Sequence, residues 1–252
     1  MKIRLPNGIM DGPDLFNYAE IDELKGKQQN YLVDKDLVEM DIGHIPKILE
    51  DLILSLETKE GMQWKGDIGE AIWKLSSGDV ETILIKIREN TFGPEFYHQA
   101  TCTHCNHVNK GLRLDLDKLK LTTLTKKEII DKKRLTFTLP KLGKEVEVKP
   151  LYLKDLFEVI KITSNKHKEL ITSIVAISVS KLGEKTNITK KDIEDLSAND
   201  IYFMQDKLEE LKTEGYIDTM IEITCQKCKK DFEQKLNVLD PDFFVHTKAT
   251  NN

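Results

Sequence analysis

All four cysteines of this 252-residue chain sit in two units of one pattern, Thr101-Cys102-Thr103-His104-Cys105 and Thr224-Cys225-Gln226-Lys227-Cys228. A Cys-x-x-Cys turn between two strands aims both sulfurs at one point, two corners of a tetrahedron; two such turns supply all four. The 119 residues between the pairs exceed the spacing of ordinary ribbon sites. They do not forbid a shared site, because the cost of closing a loop grows only logarithmically with its length. Either each pair works alone, or the fold must carry the two together.

The pairs lie inside a longer self-similarity. Residues 76–105 and 197–228 each begin with a serine followed three places later by an aspartate, Ser76 with Asp79 and Ser197 with Asp200. That pattern predicts a capped helix start. Val80, Ile83, Leu84 and Ile87 then make one apolar stripe, and Ile201, Met204, Leu208 and Leu211 make its counterpart. Gly93 and Gly215 are placed to end the two helices. A short strand leads into each cysteine turn and an alternating one leads away, with Leu112, Leu114 and Leu116 in the first copy and Leu236 and Val238 in the second.

Upstream, KIRLPNG at 2–8 parallels TFTLPKLG at 136–143, each a strand running into a Leu-Pro turn, and EIDEL at 20–24 parallels YLKDL at 152–156. Between lies an apolar helix in both copies. Ile45, Ile48, Leu49, Leu52, Ile53 and Leu56 form a wide stripe; Leu170, Ile171, Ile174, Val175, Ile177 and Leu182 cover more of the circumference and predict deeper burial. The expected fold is α+β, two tandem repeated modules related by a pseudo-twofold, each with a β-hairpin, helices and a zinc-knuckle hairpin. The modules span 1–120 and 135–245, joined by a charged, exposed linker at 121–134 and followed by a tail at 246–252.

Composition narrows the function. With 39% hydrophobic and 32% charged residues, the chain can bury a core and carry a charged surface. Its net charge of -5 argues against general attraction to nucleic acid or anionic membrane, although KKEIIDKKR at 126–134 is locally basic. No apolar run approaches the ~20 residues needed to span a bilayer, and the N-terminal MKIRLPNGIMDGP does not read as a secretory signal. A cytoplasmic location follows, where structural disulfides are rare. The cysteines are then read as thiolates holding a structural Zn²⁺.

The cysteines admit three readings. His98, His104 and His107 crowd the first turn and could complete a local site. The second copy has Lys227 and Lys230 where His104 and His107 would be, so only the cysteines are common to both. A redox dithiol wants a helix N-terminus within a βαβ unit, and here the flanks are strands. A site shared by Cys102, Cys105, Cys225 and Cys228 is the preferred reading. GMQWKGDIG at 61–69 lacks the Gly-Lys-Ser/Thr of a phosphate loop, and HExxH and GxSxG are absent. No residue set calls for an enzyme or a small-molecule substrate.

ETILIKIRENTFGPEF at 81–96 resembles the helix-and-turn element of the T-even phage baseplate hub subunit family, which includes hub assembly chaperones of related contractile injection systems. LTFTLPKLGKEVEVKPLYLKDL at 135–156 is similar to its Leu-Pro hairpin and helix start. The two cysteine turns, each followed by a strand and a Leu-Asp pair (Leu116-Asp117, Leu239-Asp240), resemble knuckles of its members. The resemblance implies a non-catalytic part of a phage tail baseplate, or a factor that builds the hub. It implies other hub proteins as partners, and a place in the bacterial host cytoplasm during assembly or in the virion baseplate. The competing reading is a nucleic-acid-binding zinc-ribbon protein.

Arg88 matches the family's arginine before Thr-Phe-Gly, whereas the second copy has Glu209 and Lys212-Thr213-Glu214. Arg88 and Phe92 are therefore the expected partner-binding pair, with Phe92 projecting from the helix end. The plainer alternative has Phe92 folded back under its own helix and Arg88 paired locally. Residues 9–43 are longer than their counterpart at 144–168, with no role assigned.

Overall fold

The computed structural model describes residues 1–34, 43–131, 134–163, 170–212 and 215–245; the expected tail and residues 35–42 lie outside these. The described chain is mixed α and β, with several small antiparallel sheets.

The first half opens with β1 (Lys2–Asp11) and β2 (Asp14–Ile21), then α1 (Gly26–Val33), α2 (His44–Leu52) and β3 (Ile53–Thr58). The strands form one sheet in the order β1-β2-β3. The helical stripe read through Leu56 was therefore too long. Ile53 and Leu56 are buried from β3, paired with Ile21 and Ala19, while Leu54 is 54% exposed. A strict period of two would put Ile53 and Leu56 on opposite faces; the register shift where Ile21 and Glu20 pair with Ile53 and Ser55 lets the strand bury both. Next come α3 (Ile68–Ala71), α4 (Ser77–Phe92) and a hairpin of β4 (Glu95–Thr101) and β5 (Val108–Asp115) carrying the first cysteine turn.

The chain then passes through β6 (Leu121–Thr122) and α5 (Lys126–Asp131). Part of this stretch, expected to be a solvated linker, is tied into the fold. β6 pairs with a later strand, Leu124 is buried, and the Leu124 amide donates to the Pro6 carbonyl at 2.8 Å. Among its described residues, Thr125, Lys126 and Lys127 form an exposed run near its centre.

The second half has β7 (Leu135–Thr138), β8 (Glu145–Val148), α6 (Leu153–Thr163), α7 (Leu170–Ser178) and β9 (Val179–Leu182), with a second three-stranded sheet in the order β7-β8-β9. Again the apolar stripe was over-extended: Leu182 belongs to β9, and Ile171 is 45% exposed rather than deeply buried. There follow α8 (Lys190–Glu194), α9 (Ala198–Lys212), β10 (Tyr216–Ile217) paired with β6, and a hairpin of β11 (Met220–Thr224) and β12 (Asp231–Lys235) carrying the second cysteine turn. A 3-10 turn at Pro241–Phe244 ends the described chain.

The two capped helices are built alike, in more detail than the spacing foretold. Ser76 Oγ accepts from the Asp79 amide and Ser197 Oγ from the Asp200 amide, both at 3.2 Å. Each aspartate then reaches the Leu-Pro segment of its own half. The Asn7 and Gly8 amides donate to Asp79, and the Lys141 and Leu142 amides donate to Asp200, at 2.8–3.1 Å. Both carboxylates are buried, and burial raises Asp79 above the usual carboxylate range against these bonds. The two Leu-Pro segments nevertheless differ. The second is a hairpin turn closed by Leu139 and Lys144, whereas the first is an irregularity inside β1, whose turn comes at Gly12.

Gly93 ends α4 at φ 82, as read. Gly215 serves close packing instead: a Cβ there would lie 2.1 Å from Asn7 Oδ1, and the Gly215 carbonyl leaves no room for one on Gly78.

The largest core is gathered around α2 and α4, including Ile45, Leu49, Ile83, Leu84 and Ile87, but Leu153, Ile217, Leu236, Phe243 and Phe244 complete it from the second half. The second half keeps a smaller core around Val146, Val148, Val175 and Met204. The halves are thus joined by shared apolar burial, the dominant favourable term in association.

Candidate metal centre

The hairpins β4-β5 and β11-β12 meet at their cysteine turns. Ala100, Cys102, Ile221, Ile223, Cys225 and Phe232 form a small buried cluster beneath the turns, with Leu112, Leu114 and Leu119 against it. The turns are local copies. The Cys102 amide donates to the His107 carbonyl and the Cys225 amide to the Lys230 carbonyl, both at 2.9 Å. The Asn106 and Lys229 amides return to the Cys102 and Cys225 carbonyls at 3.0 Å. Asn106 and Lys229 have φ of 55 and 61, the two positive-φ residues other than glycine among those described. Left-handed backbone at a non-glycine residue is uncommon, and here it curls each turn so that both sulfurs face inward.

The four Sγ atoms all lie within 4.8 Å of one another. Cys102 faces Cys228 and Cys105 faces Cys225, each pair at 3.7 Å. Sulfurs about 2.3 Å from a central ion, at the corners of a regular tetrahedron, are about 3.8 Å apart. The crosswise separations fit that figure. Backbone amides also support charge on sulfur: His104 donates to Cys102 Sγ at 3.4 Å and Cys228 to Cys225 Sγ at 3.5 Å.

Crowding divides the thiols electrostatically. Burial pushes Cys225 up, but the amides of Cys228 and Lys227 and the thiols of Cys102 and Cys228 outweigh it and bring it down to about 6. At Cys105 the backbone bond of His107 favours ionisation, yet burial and the nearby Cys228, Cys225 and Cys102 sulfurs prevail and push it up to about 11. Like charges at this spacing resist ionising together. A cation at the centre removes that conflict, so the donor set fits a thiolate-preferring metal ion.

Asn109 was missed by sequence reading, and it docks one turn on the other. It is fully buried, its Oδ1 accepts from the Gln226 amide at 2.7 Å, and its Nδ2 donates to the Ala100 and His107 carbonyls at 3.1 and 3.3 Å. Gln226 Nε2 answers by donating to the Lys110 carbonyl at 3.0 Å. The place equivalent to Asn109 in the second turn is Phe232, so the self-similarity gave no hint of it. Asn109→Ala is expected to cost about 1–3 kcal/mol through unpaired buried groups and to speed metal loss to a chelator. Unchanged release kinetics would show that Asn109 does not hold the turns in register.

The histidines stand aside. His104 Nε2 lies 3.0 Å from the Asp231 carbonyl, His98 stacks on Phe96 at 5.7 Å, and the metal-ligand cluster among the described residues contains cysteines alone.

The expected partner pair is corrected. Arg88 has no exposed surface; its Nε donates to the Phe243 carbonyl at 3.0 Å and its Nη1 to the Gly93 carbonyl at 3.3 Å. Its guanidinium lies 4.8–5.8 Å from the ring centroids of Phe92, Phe96 and Phe243. Phe92 is half-buried against the main core rather than projecting from the helix end. Arg88 is thus an internal clamp on the Phe243 segment, whose return from far along the chain sequence reading did not foresee. Of Glu209 and Lys212-Thr213-Glu214, contrasted with it in the second half, Thr213 and Glu214 lie outside the described residues.

No helix among the described residues is long and apolar enough to cross a membrane. Against protein families, a model described as T4 bacteriophage base plate protein matches residues 25–245. No curated protein and no solved structure matches the chain.

Proposed function

Since the chain belongs to the T4 bacteriophage base plate protein family, we propose that it is a non-enzymatic hub subunit or hub assembly factor of a contractile phage tail, built around one structural zinc. The family match over most of the chain carries the baseplate role. The convergence of all four cysteines from opposite halves supports the zinc. Four thiolates in a closed, partly buried set suit a structural ion, since a catalytic zinc keeps a position open for water or substrate.

We also infer a tandem duplication with a pseudo-twofold. The paired three-stranded sheets, the two Ser-Asp caps gripping Leu-Pro amides and the matched cysteine turns support it. On this reading the ion lies near the axis and ties the two modules where their hairpins meet. The partners are other hub proteins, met in the host cytoplasm during assembly. Arg88 and Phe92 contribute by keeping the surface rigid rather than by touching the partner.

The test is affinity purification of the tagged chain from infected cells, followed by protein identification and by zinc measurement on the same material. Hub or other baseplate proteins at fixed stoichiometry are expected. Recovery of the chain with nucleic acid and without tail proteins would overturn the assignment.

A further inference from the structure

We propose that the four cysteines are also a built disulfide site, in which loss of the ion to a peroxide lets the sulfurs close crosswise, Cys102 to Cys228 and Cys105 to Cys225. This rests on reading the cluster as a metal centre and adds what becomes of it when the ion is lost.

The geometry favours crosswise closure. Each facing pair of Sγ atoms is 3.7 Å apart, so an approach of about 1.7 Å reaches disulfide length. The two turns are already docked by Asn109 on Gln226, Gln226 on Lys110 and His104 on Asp231. Closure within a turn would instead fall inside a loop whose own amides grip the Cys102 and Cys225 sulfurs and whose Asn106 and Lys229 are held left-handed.

One peroxide serves each pair. A cysteine sulfur attacks one peroxide oxygen, the O–O bond breaks, a sulfenic acid forms and one water leaves. The facing sulfur then attacks that sulfur, the S–S bond forms and the hydroxyl leaves as a second water. Two electrons pass from the sulfurs to the peroxide. For the whole tetrathiolate centre, two peroxides and four protons are consumed, and one divalent ion and four waters are released.

The consequence is specific to this chain's topology. The bonds would join residues 126 and 120 positions apart, one from each half. The ion's task of tying the hairpins together would therefore pass to covalent bonds in an oxidising medium, the setting in which disulfides persist.

The experiment treats the full zinc-loaded protein with hydrogen peroxide, follows zinc release with a chelating dye, alkylates remaining thiols and digests with trypsin. Trypsin leaves Cys102 and Cys105 together on the peptide Glu89–Lys110 and cuts between Lys227 and Cys228. The expected product is Glu89–Lys110 linked to both the Cys225 and the Cys228 peptides, forming in step with zinc release. Fragmentation is expected to assign Cys102 to Cys228. A variant carrying Cys105→Ser and Cys225→Ser is expected to give the Cys102–Cys228 link alone. An internal Cys102–Cys105 disulfide, the opposite crosswise pairing, or sulfinic acids without linkage would overturn the proposal. Protein that takes up no zinc would overturn the metal reading on which the proposal rests, whereas zinc-loaded protein that releases its zinc without crosswise links would overturn the proposal alone.

Discussion

The substitution Cys225→Ser is expected to remove the ion from the whole chain, not from half of it. Because each turn supplies only two sulfurs and all four meet within 4.8 Å, taking one corner away leaves three thiolates from two separate hairpins and no local site on either. Wild-type protein is expected to carry one zinc per chain and the variant none. Small domains with little core draw about 10–16 kcal/mol from structural zinc. This chain has a large core apart from the turns, so the expected loss is smaller, about 3–5 kcal/mol, at and beyond the upper end of the usual single-substitution range. Chelation of the wild type should reproduce most of it. Two zincs per chain, or metal retained by the variant, would refute the shared site.

The cysteines were legible because their spacing has a narrow chemical meaning and the chain holds no others to confuse it. The Ser-Asp caps were legible for a related reason: a cap is local, and Ser76 with Asp79 needs nothing distant to be recognised. What those aspartates do next was not legible. The grip of Asp79 on Asn7 and Gly8 joins residues about 70 positions apart, and composition carries no trace of it. Asn109 escaped for the same reason, a polar residue on a strand whose partners lie on another hairpin. The ends of α2 and α7 were misplaced because apolar residues of a helix and of the strand that follows it can share one run of spacings. Gly215 was assigned the right type of residue for the wrong cause, since the need for a bare backbone comes from Asn7 at the other end of the chain.

Arg88 gives the second large effect, and it follows from where the C-terminal segment goes. A surface arginine changed to alanine would cost little; this one fills buried space among Phe92, Phe96 and Phe243 and holds two carbonyls. Burial pulls its pKa below the usual arginine value, with the nearby Glu89 charge opposing. The guanidinium nevertheless stays charged, as arginine does in proteins. Arg88→Ala therefore combines a cavity with unpaired carbonyls, and the expected loss is about 3–5 kcal/mol. Chymotryptic cleavage at Phe243 and Phe244 is expected to become much faster, because the bond from Arg88 to the Phe243 carbonyl is one that fastens that turn. Arg88→Lys should recover little, since an ammonium cannot repeat a planar fork directed at two carbonyls. Arg88→Met should recover more stability than lysine does, because an apolar side chain of similar length keeps the packing without burying a charge. Metal content should stay at one zinc per chain in all three variants, the cysteine turns being a separate cluster. If Arg88→Ala lowers stability by less than about 1 kcal/mol, as substitutions at exposed positions do, Arg88 does not clamp the segment.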